Sequence, residues 1–182
     1  VIMQKGVAKL LGCQQESEFI MQVAGLNHFI FTRQILLRGQ DRLAEVIEKI
    51  TQGPDPLVPR NIPPFRWPEH LLKGLGMIPC AYLRYYYMSD DILKQELGEA
   101  NGEGTRGEVV KALEHQLFEI YRNPTLAEKP KQLEGRGGQY YSEAACELMS
   151  AIHNDKRIIM HVNTRNNGAI SGLPDECAVE VS

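Results

Sequence analysis

Cysteine is scarce in this 182-residue chain, and the four present (Cys13, Cys80, Cys146, Cys177) are scattered, with no C-x-x-C pair. Sparse, separated thiols argue against a disulfide framework and for reduced cysteines. Runs of lysine and arginine are missing as well. The net charge is −3 and the pI 6.0, so the chain lacks the basic face that nucleic acid or an anionic membrane requires. No apolar run approaches the ~20 residues needed to cross a bilayer, and no charged-then-apolar leader opens the chain. Internal repeats and low-complexity tracts are absent too. The expectation is a cytoplasmic protein with no nucleic-acid partner and no membrane partner.

Hydrophobic residues make up 43% and charged residues 24% of the chain, as in ordinary globular domains. A chain of this length buries roughly 70% of the surface its unfolded form exposes. The opening Val1-Ile2-Met3-Gln4-Lys5 already has a helical pattern, and the close, Ala178-Val179-Glu180-Val181-Ser182, has a strand pattern. We therefore expect one α+β domain over residues 1–182, cut at both ends from a longer protein.

Met3, Val7, Leu10 and Leu11 recur at helical spacing up to Gly12, which predicts a helix over 2–11. Dense β-branched and aromatic residues predict two strands within 18–37, interrupted by Gly25-Leu26-Asn27-His28. Asp41 can cap a helix that carries Leu43, Val46, Ile47 and Ile50 on one stripe. Residues 53–68 hold six of the ten prolines and predict a Pro-rich internal loop, since proline breaks both helix and central strand. Helical patterns follow over 69–75, 80–97, 105–121 and 140–154. Residues 158–162 and 177–181 read as strands, with a turn at Asn166-Asn167-Gly168. Strands and helices mix without regular alternation, so the class is α+β.

Few residues stand out chemically. Gly102-Glu103-Gly104-Thr105-Arg106-Gly107 fits G-x-G-x-x-G, but a dinucleotide fingerprint needs a buried strand before it. Here the preceding residues are polar and helix-like. His28 sits between two apolar strands with no second ligand at metal spacing beside it. Four of the seven tyrosines fall within Tyr82 to Tyr87, and helical spacing puts Tyr82, Tyr85 and Tyr86 on one face. They read as an aromatic core stripe or as a phenol used as a base, which requires nearby positive charge because a free tyrosine has a pKa of ~10. Arg106, in the first turn of a helix, is either a surface arginine or part of a phosphate seat. Asn163-Thr164-Arg165-Asn166-Asn167-Gly168 is rich in hydrogen-bonding side chains, as a solvated turn would be.

Five blocks occur in one order: Gly25-Leu26-Asn27-His28; Met77-Ile78-Pro79-Cys80-Ala81-Tyr82-Leu83-Arg84-Tyr85-Tyr86; Thr105-Arg106-x-Glu108-Val109; Arg136-Gly137-Gly138-x-Tyr140-Tyr141-Ser142; and Val162 to Ile170. This series closely resembles the 6-phospho-β-glucosidases of glycoside hydrolase family 4, over nearly the whole chain. That family departs from two-carboxylate glycosidase chemistry and uses NAD. The resemblance implies the C-terminal domain of a protein similar in fold to lactate and malate dehydrogenases. The Rossmann domain would lie upstream, and more of the second domain would follow Ser182.

The resemblance also implies a mechanism. NAD takes hydride from carbon 3 of the sugar, a tyrosine removes the now acidic proton on carbon 2, and a divalent ion, usually manganese, stabilises the enediolate. Elimination, addition of water and reduction follow. By position, Tyr82 matches the base, His28 a metal ligand and Arg106 a substrate-phosphate contact. Asn27, beside the ligand, is assigned to substrate binding. The family's other metal ligand, a cysteine in a Cys-Asn-x-Pro block, would precede Val1. On that ground the 182-residue chain is expected to be inactive and to hold neither NAD nor metal well. The implied partners are a phosphorylated disaccharide or an aryl 6-phospho-β-glucoside, and a second copy in a homodimer or homotetramer. A non-catalytic sugar-phosphate-binding or dimerisation module, and a family member acting on an α-glucoside or galactoside, are the alternatives.

Overall fold

The apolar alternation of 18–37 closes into an antiparallel hairpin in the computed structural model, which describes residues 2–13, 18–52, 57, 65–102, 104–136 and 141–182. β1 (Phe19–Leu26) and β2 (Phe29–Leu37) pair from Phe19↔Leu37 to Leu26↔Phe29. Between Gln22 and Val23 the register shifts, leaving Arg33 as an extra residue on β2. A bulge of this kind bends the strand and increases its twist. Phe19, Met21 and Val23 are buried while Gln22 is exposed, the period of two that one covered face imposes.

β3 (Gln40–Asp41) continues the hairpin edge and leads into α2 (Leu43–Thr51). Asp41 Oδ1 accepts the Leu43 N–H at 3.0 Å, so the expected capping side chain acts from one residue ahead of the formal cap, Arg42. The strand order is β3-β2-β1-β6-β5, with β4 (Ile78–Pro79) also on β2. β5 (Val162–Arg165) and β6 (Ala178–Val181) come from the far end of the chain, and every pairing is antiparallel. An antiparallel sheet with helices segregated from it is the α+β class expected.

The core forms on one face of the hairpin. Val7 of α1 (Ile2–Leu10), Val46, Ile47 and Ile50 of α2, and Leu72 of α3 (Glu69–Leu75) pack with Met21, Val23 and Ile35. Full burial of each such side chain is worth roughly 1.5–3 kcal/mol. The prolines of the expected 53–68 loop lie outside the described residues, except Pro68. Leu57, Phe65 and Trp67 from this stretch are buried in the same core.

Two sequence expectations need correction. The single helix read over 80–97 is three pieces: a 3₁₀ turn (Ala81–Leu83), α4 (Arg84–Tyr87) and α5 (Ser89–Ala100). The break falls at Met88 (φ −131°, ψ 35°), where Tyr87 and Met88 turn onto the core. The strand read over 158–162 begins only at Val162, because its partner β6 pairs from Val162↔Val181 to Arg165↔Ala178. Residues 158–161 instead wall a cleft.

The later helices are α6 (Arg106–Tyr121), α7 (Leu133–Arg136) and α8 (Tyr141–His153). Thr105 and Glu108 form a reciprocal capping box that starts α6. Apart from Leu117, α6 buries nothing, and α8 has no buried residue. Among the described residues, no helix is long and apolar enough to cross a membrane.

Asn166 also departs from the solvated-turn reading. Its side chain is buried. Nδ2 donates to the carbonyls of Ile170 and Leu173, both at 3.0 Å, and Oδ1 accepts the Ile170 N–H at 2.7 Å. The carboxamide thus organises the loop between β5 and β6, and truncating it leaves several part-buried backbone groups unpartnered. We predict that Asn166→Ala lowers unfolding free energy by about 2–3 kcal/mol in urea titration, while Asn163→Ala, on the exposed face of β5, changes it by less than about 0.5 kcal/mol.

Candidate active site

The tip of the β1–β2 hairpin is a close backbone crossing. Gly25 has φ +152°, and a Cβ there would lie 2.1 Å from the Phe29 carbonyl oxygen. Glycine is required at this point. Two residues, Asn27 and His28, turn the chain, and His28 takes φ +62°, a left-handed conformation in which histidine is enriched among non-glycine residues. Both side chains are exposed at the tip.

β4 brings the second block alongside. Phe31 pairs with Pro79 and Thr32 with Ile78, and the Cys80 N–H donates to the Ile30 carbonyl at 2.9 Å. The 3₁₀ turn then sets Tyr82 against the hairpin tip. The rings of His28 and Tyr82 lie 4.6 Å apart at 56°, and Tyr82 is 38% exposed. The two residues singled out from separate blocks are therefore neighbours that a ligand can reach.

Sequence reasoning missed one titratable neighbour, Glu180, and gave no role to another, Cys80. Glu180 on β6 pairs with Gly25 on one side and Asn163 on the other. Burial raises its carboxyl above the ordinary value, and the nearby His28 opposes this. The Cys80 thiol is likewise pushed up, first by burial and then by the Glu180 carboxylate, against the pull of the Tyr82 and Ala81 N–H groups. A carboxylate set between Val179 and Val181 in a strand was the available signal for Glu180.

The tyrosine block does not form the expected stripe. Tyr82 belongs to the 3₁₀ turn and Tyr85 and Tyr86 to α4, and all three are exposed. Only Tyr87 of the four packs against the core. Beneath them Arg84 is buried, its Nη2 donating to the Tyr85 hydroxyl at 3.1 Å. Its guanidinium carbon lies 4.8 Å and 5.3 Å from the ring centroids of Tyr85 and Phe65. This buried cation fixes the short helix directly after Tyr82.

Among the described residues no hydrogen bond or ion pair joins Arg106 to this group. It is the first residue of α6 and its Nη2 donates to the Gly135 carbonyl of α7 at 2.7 Å. Most of the Arg136-Gly137-Gly138-x-Tyr140 block lies outside the described residues. The residues before Gly102 form α5, a helix, so the G-x-G-x-x-G match has no strand leading into it. Among the described residues no three His, Cys, Asp or Glu side chains gather as a metal site. His28 supplies one accessible imidazole, which is a single ligand and does not by itself hold a divalent ion.

The described residues thus form an α+β domain that presents a histidine and a tyrosine side by side at one end of its sheet. Residues 23–182 match the family 4 glycosyl hydrolase C-terminal domain, and the chain belongs to that family. It is 47% identical to a Bacillus subtilis (strain 168) protein named "Probable 6-phospho-beta-glucosidase" over 97% of this chain and 40% of that protein. It is 38% identical to the 6-phospho-beta-glucosidase of Escherichia coli (strain K12), over 99% and 40%. The Thermotoga maritima 6-phospho-beta glucosidase with NAD and glucose-6-phosphate superposes with a TM-score of 0.76 at 31% identity, over 98% of this chain and 39% of that one. Another structure of that enzyme also holds manganese. The chain thus spans about 40% of the length of the curated relatives it matches.

Two predictions follow from the geometry of the tip. Gly25→Ala forces the Phe29 carbonyl away and costs about 3 kcal/mol or more in unfolding free energy, well beyond the ~1 kcal/mol typical of a point mutant. Nuclear Overhauser contacts between the His28 and Tyr82 rings should disappear with it. The second concerns pH. A carboxyl raised in the folded state binds its proton more tightly than in the unfolded chain, so its contribution is present below the ordinary value of 4.5 and lost as pH rises through the folded value. Glu180→Gln should therefore gain stability relative to the parent between pH 4 and pH 7, read from denaturation midpoints at the two pH values.

Proposed function

We propose that this chain is the C-terminal part of a 6-phospho-β-glucosidase in which Tyr82 is the base and His28 one metal ligand. The observation that carries the reading is the contact of the His28 and Tyr82 rings at 4.6 Å. The relatives at 47% and 38% identity carry the β-glucosidase name, which favours the β-glucoside over the α-glucoside or galactoside alternative. The substrate class is a phosphorylated disaccharide or aryl 6-phospho-β-glucoside.

When bound, a nicotinamide cofactor would supply the hydride chemistry that side chains lack, and a divalent ion, with His28 as one ligand, would supply positive charge. The chain's own residues have narrower tasks. The Tyr82 oxygen accepts the proton from the sugar carbon beside the oxidised one. The imidazole of His28 is offered toward the ion and packs against the phenol, holding it in position. Arg106 stands where the exposed N–H groups of the α6 N-terminus favour an anion, and its guanidinium exchanges the Gly135 carbonyl for the substrate phosphate. Asn27 lies beside the ligand and takes a substrate hydroxyl. The same reading makes the protein a cytoplasmic homodimer or homotetramer. Exposed Phe118 of α6 and Ile152 of α8 support a partner surface.

The test uses the full-length protein and an aryl 6-phospho-β-glucoside, with NAD and manganese present. Tyr82→Phe should cut turnover by about 10²–10⁴-fold while glucose 6-phosphate still binds within about twofold of the parent. His28→Ala should abolish the response to added manganese. Arg106→Ala should weaken glucose 6-phosphate binding about 10–100-fold, the loss of a charge-assisted contact worth ~1.5–3 kcal/mol. The 182-residue chain alone should show no turnover. Full activity in Tyr82→Phe refutes the assignment, and a non-catalytic sugar-phosphate-binding module then becomes the better account.

A further inference from the structure

β1 is paired along its whole length on one edge and only at its end on the other. All of Phe19–Leu26 has partners on β2, whereas β6 meets β1 only at Ala24↔Val181 and Gly25↔Glu180. Beyond that point side chains serve the edge. The Val23 N–H donates to Ser182 Oγ at 3.0 Å, and His161 Nε2–H donates to the Met21 carbonyl at 3.0 Å.

Backbone groups of a strand alternate between its two edges, so Phe19, Met21 and Val23 all present N–H and C=O away from β2. Ile35, opposite Met21, agrees with this, since its carbonyl turns outward to accept the Arg42 N–H at 2.7 Å. This edge of β1 borders a cleft of about 730 Å³. Ile20 and Met21 of β1, Ile158 and Met160 of the segment before β5, and Ala144 and Leu148 of α8 supply its apolar lining, with charged side chains of α1 and α8 also bordering it. The His161 imidazole spans from the segment before β5 to β1, where a strand backbone would fit.

We propose that this cleft is a strand slot whose occupant is the continuation of β6. The present registers, Ala24↔Val181 and Val162↔Val181, are simply carried forward. Position 183 then lies opposite Gln22 and Met160, and position 185 opposite Ile20 and Ile158. The occupant is an extended segment of about four residues with apolar side chains at 183 and 185, which share a sheet face with Ile20 and Ile158. Its backbone replaces the His161 imidazole at Met21. In a chain as long as the relatives, that segment is the one directly after Ser182. β6 delivers it covalently, so it competes at high effective concentration against any separate strand. The inference stands independently of the reaction proposed above.

The test compares the 182-residue chain with one extended by Val-Thr-Val-Thr, using residue-resolved amide exchange. The extension should slow exchange of the Phe19 and Met21 amides at least tenfold and leave the Ile20 amide, which faces β2, unchanged. Val-Pro-Val-Thr, which removes the N–H at position 184 facing Met21, should return both rates to those of the unextended chain. A second readout does not depend on protection. With Gln22→Cys, a cysteine at position 183 should form a disulfide under air oxidation, and a cysteine at 184 should not. Equal exchange in all three chains, or cross-linking at 184 instead of 183, overturns the proposal. So does protection of Phe19 and Met21 in the unextended chain that rises with protein concentration, since a second copy would then be the occupant.

Discussion

The candidate site depends on one steric constraint, the close approach of Gly25 to the Phe29 carbonyl. A hairpin with a two-residue tip can keep its strands paired to the end only if the chain crosses itself tightly there, and a side chain at Gly25 would occupy the oxygen's position. That crossing aims His28 outward in a left-handed conformation. It also leaves Gly25 free to pair with Glu180 on its other edge. The histidine, the carboxylate and the backbone that presents them are thus consequences of one missing Cβ. Tyr82 arrives by a separate route through β4, but β4 is held by the same strand β2, so the two halves of the site share a rigid support.

Electrostatics at this support are one-sided. Burial pushes both Glu180 and Cys80 toward their neutral forms, and the acidic group nearest the imidazole is therefore a reluctant anion. Positive charge placed beside Glu180 lowers the cost of ionising it, as the nearby His28 already does in part. The buried Arg84 does not serve this purpose directly. It is spent on the Tyr85 hydroxyl and two aromatic faces, and its effect is to hold α4 rigid behind Tyr82.

Much of this was legible in the sequence, for identifiable reasons. The hairpin and α2 follow from alternation and a 3.6-residue stripe, both of which are local signals. The break at Met88 was not legible, since nothing in Tyr85-Tyr86-Tyr87-Met88 opposes a helix. Packing of Tyr87 and Met88 on a core built from distant segments makes the turn there. The start of β5 was misjudged for a similar reason. Ile158 to Val162 is an apolar β-branched run, but a strand needs a partner, and β6 supplies one only from Val162 onward. His28 and Tyr82 could be picked out through family resemblance, whereas their contact, and the placement of Glu180 between Gly25 and Asn163 in the ladder, are facts of long-range pairing.

The distribution of burial ties the slot to the later helices. Phe19, Met21, Val7, Val46 and Ile50 complete one face of the sheet, while Ile20, which alternates to the other face of β1, lines the cleft together with Ala144 and Leu148 of α8. An isolated helix of the length of α8 is marginal in water, and α8 buries none of its side chains. Its place at the cleft therefore gains little from contacts already made. A strand laid between β1 and the 158–161 segment changes that balance, because it gives Leu148 and Ala144 an apolar surface to cover and converts two partly open walls into one continuous sheet. Such a strand also extends the ladder in which Glu180 sits, bracing the carboxylate that faces His28. Filling the slot and stiffening the active-site end of the sheet are then the same structural event.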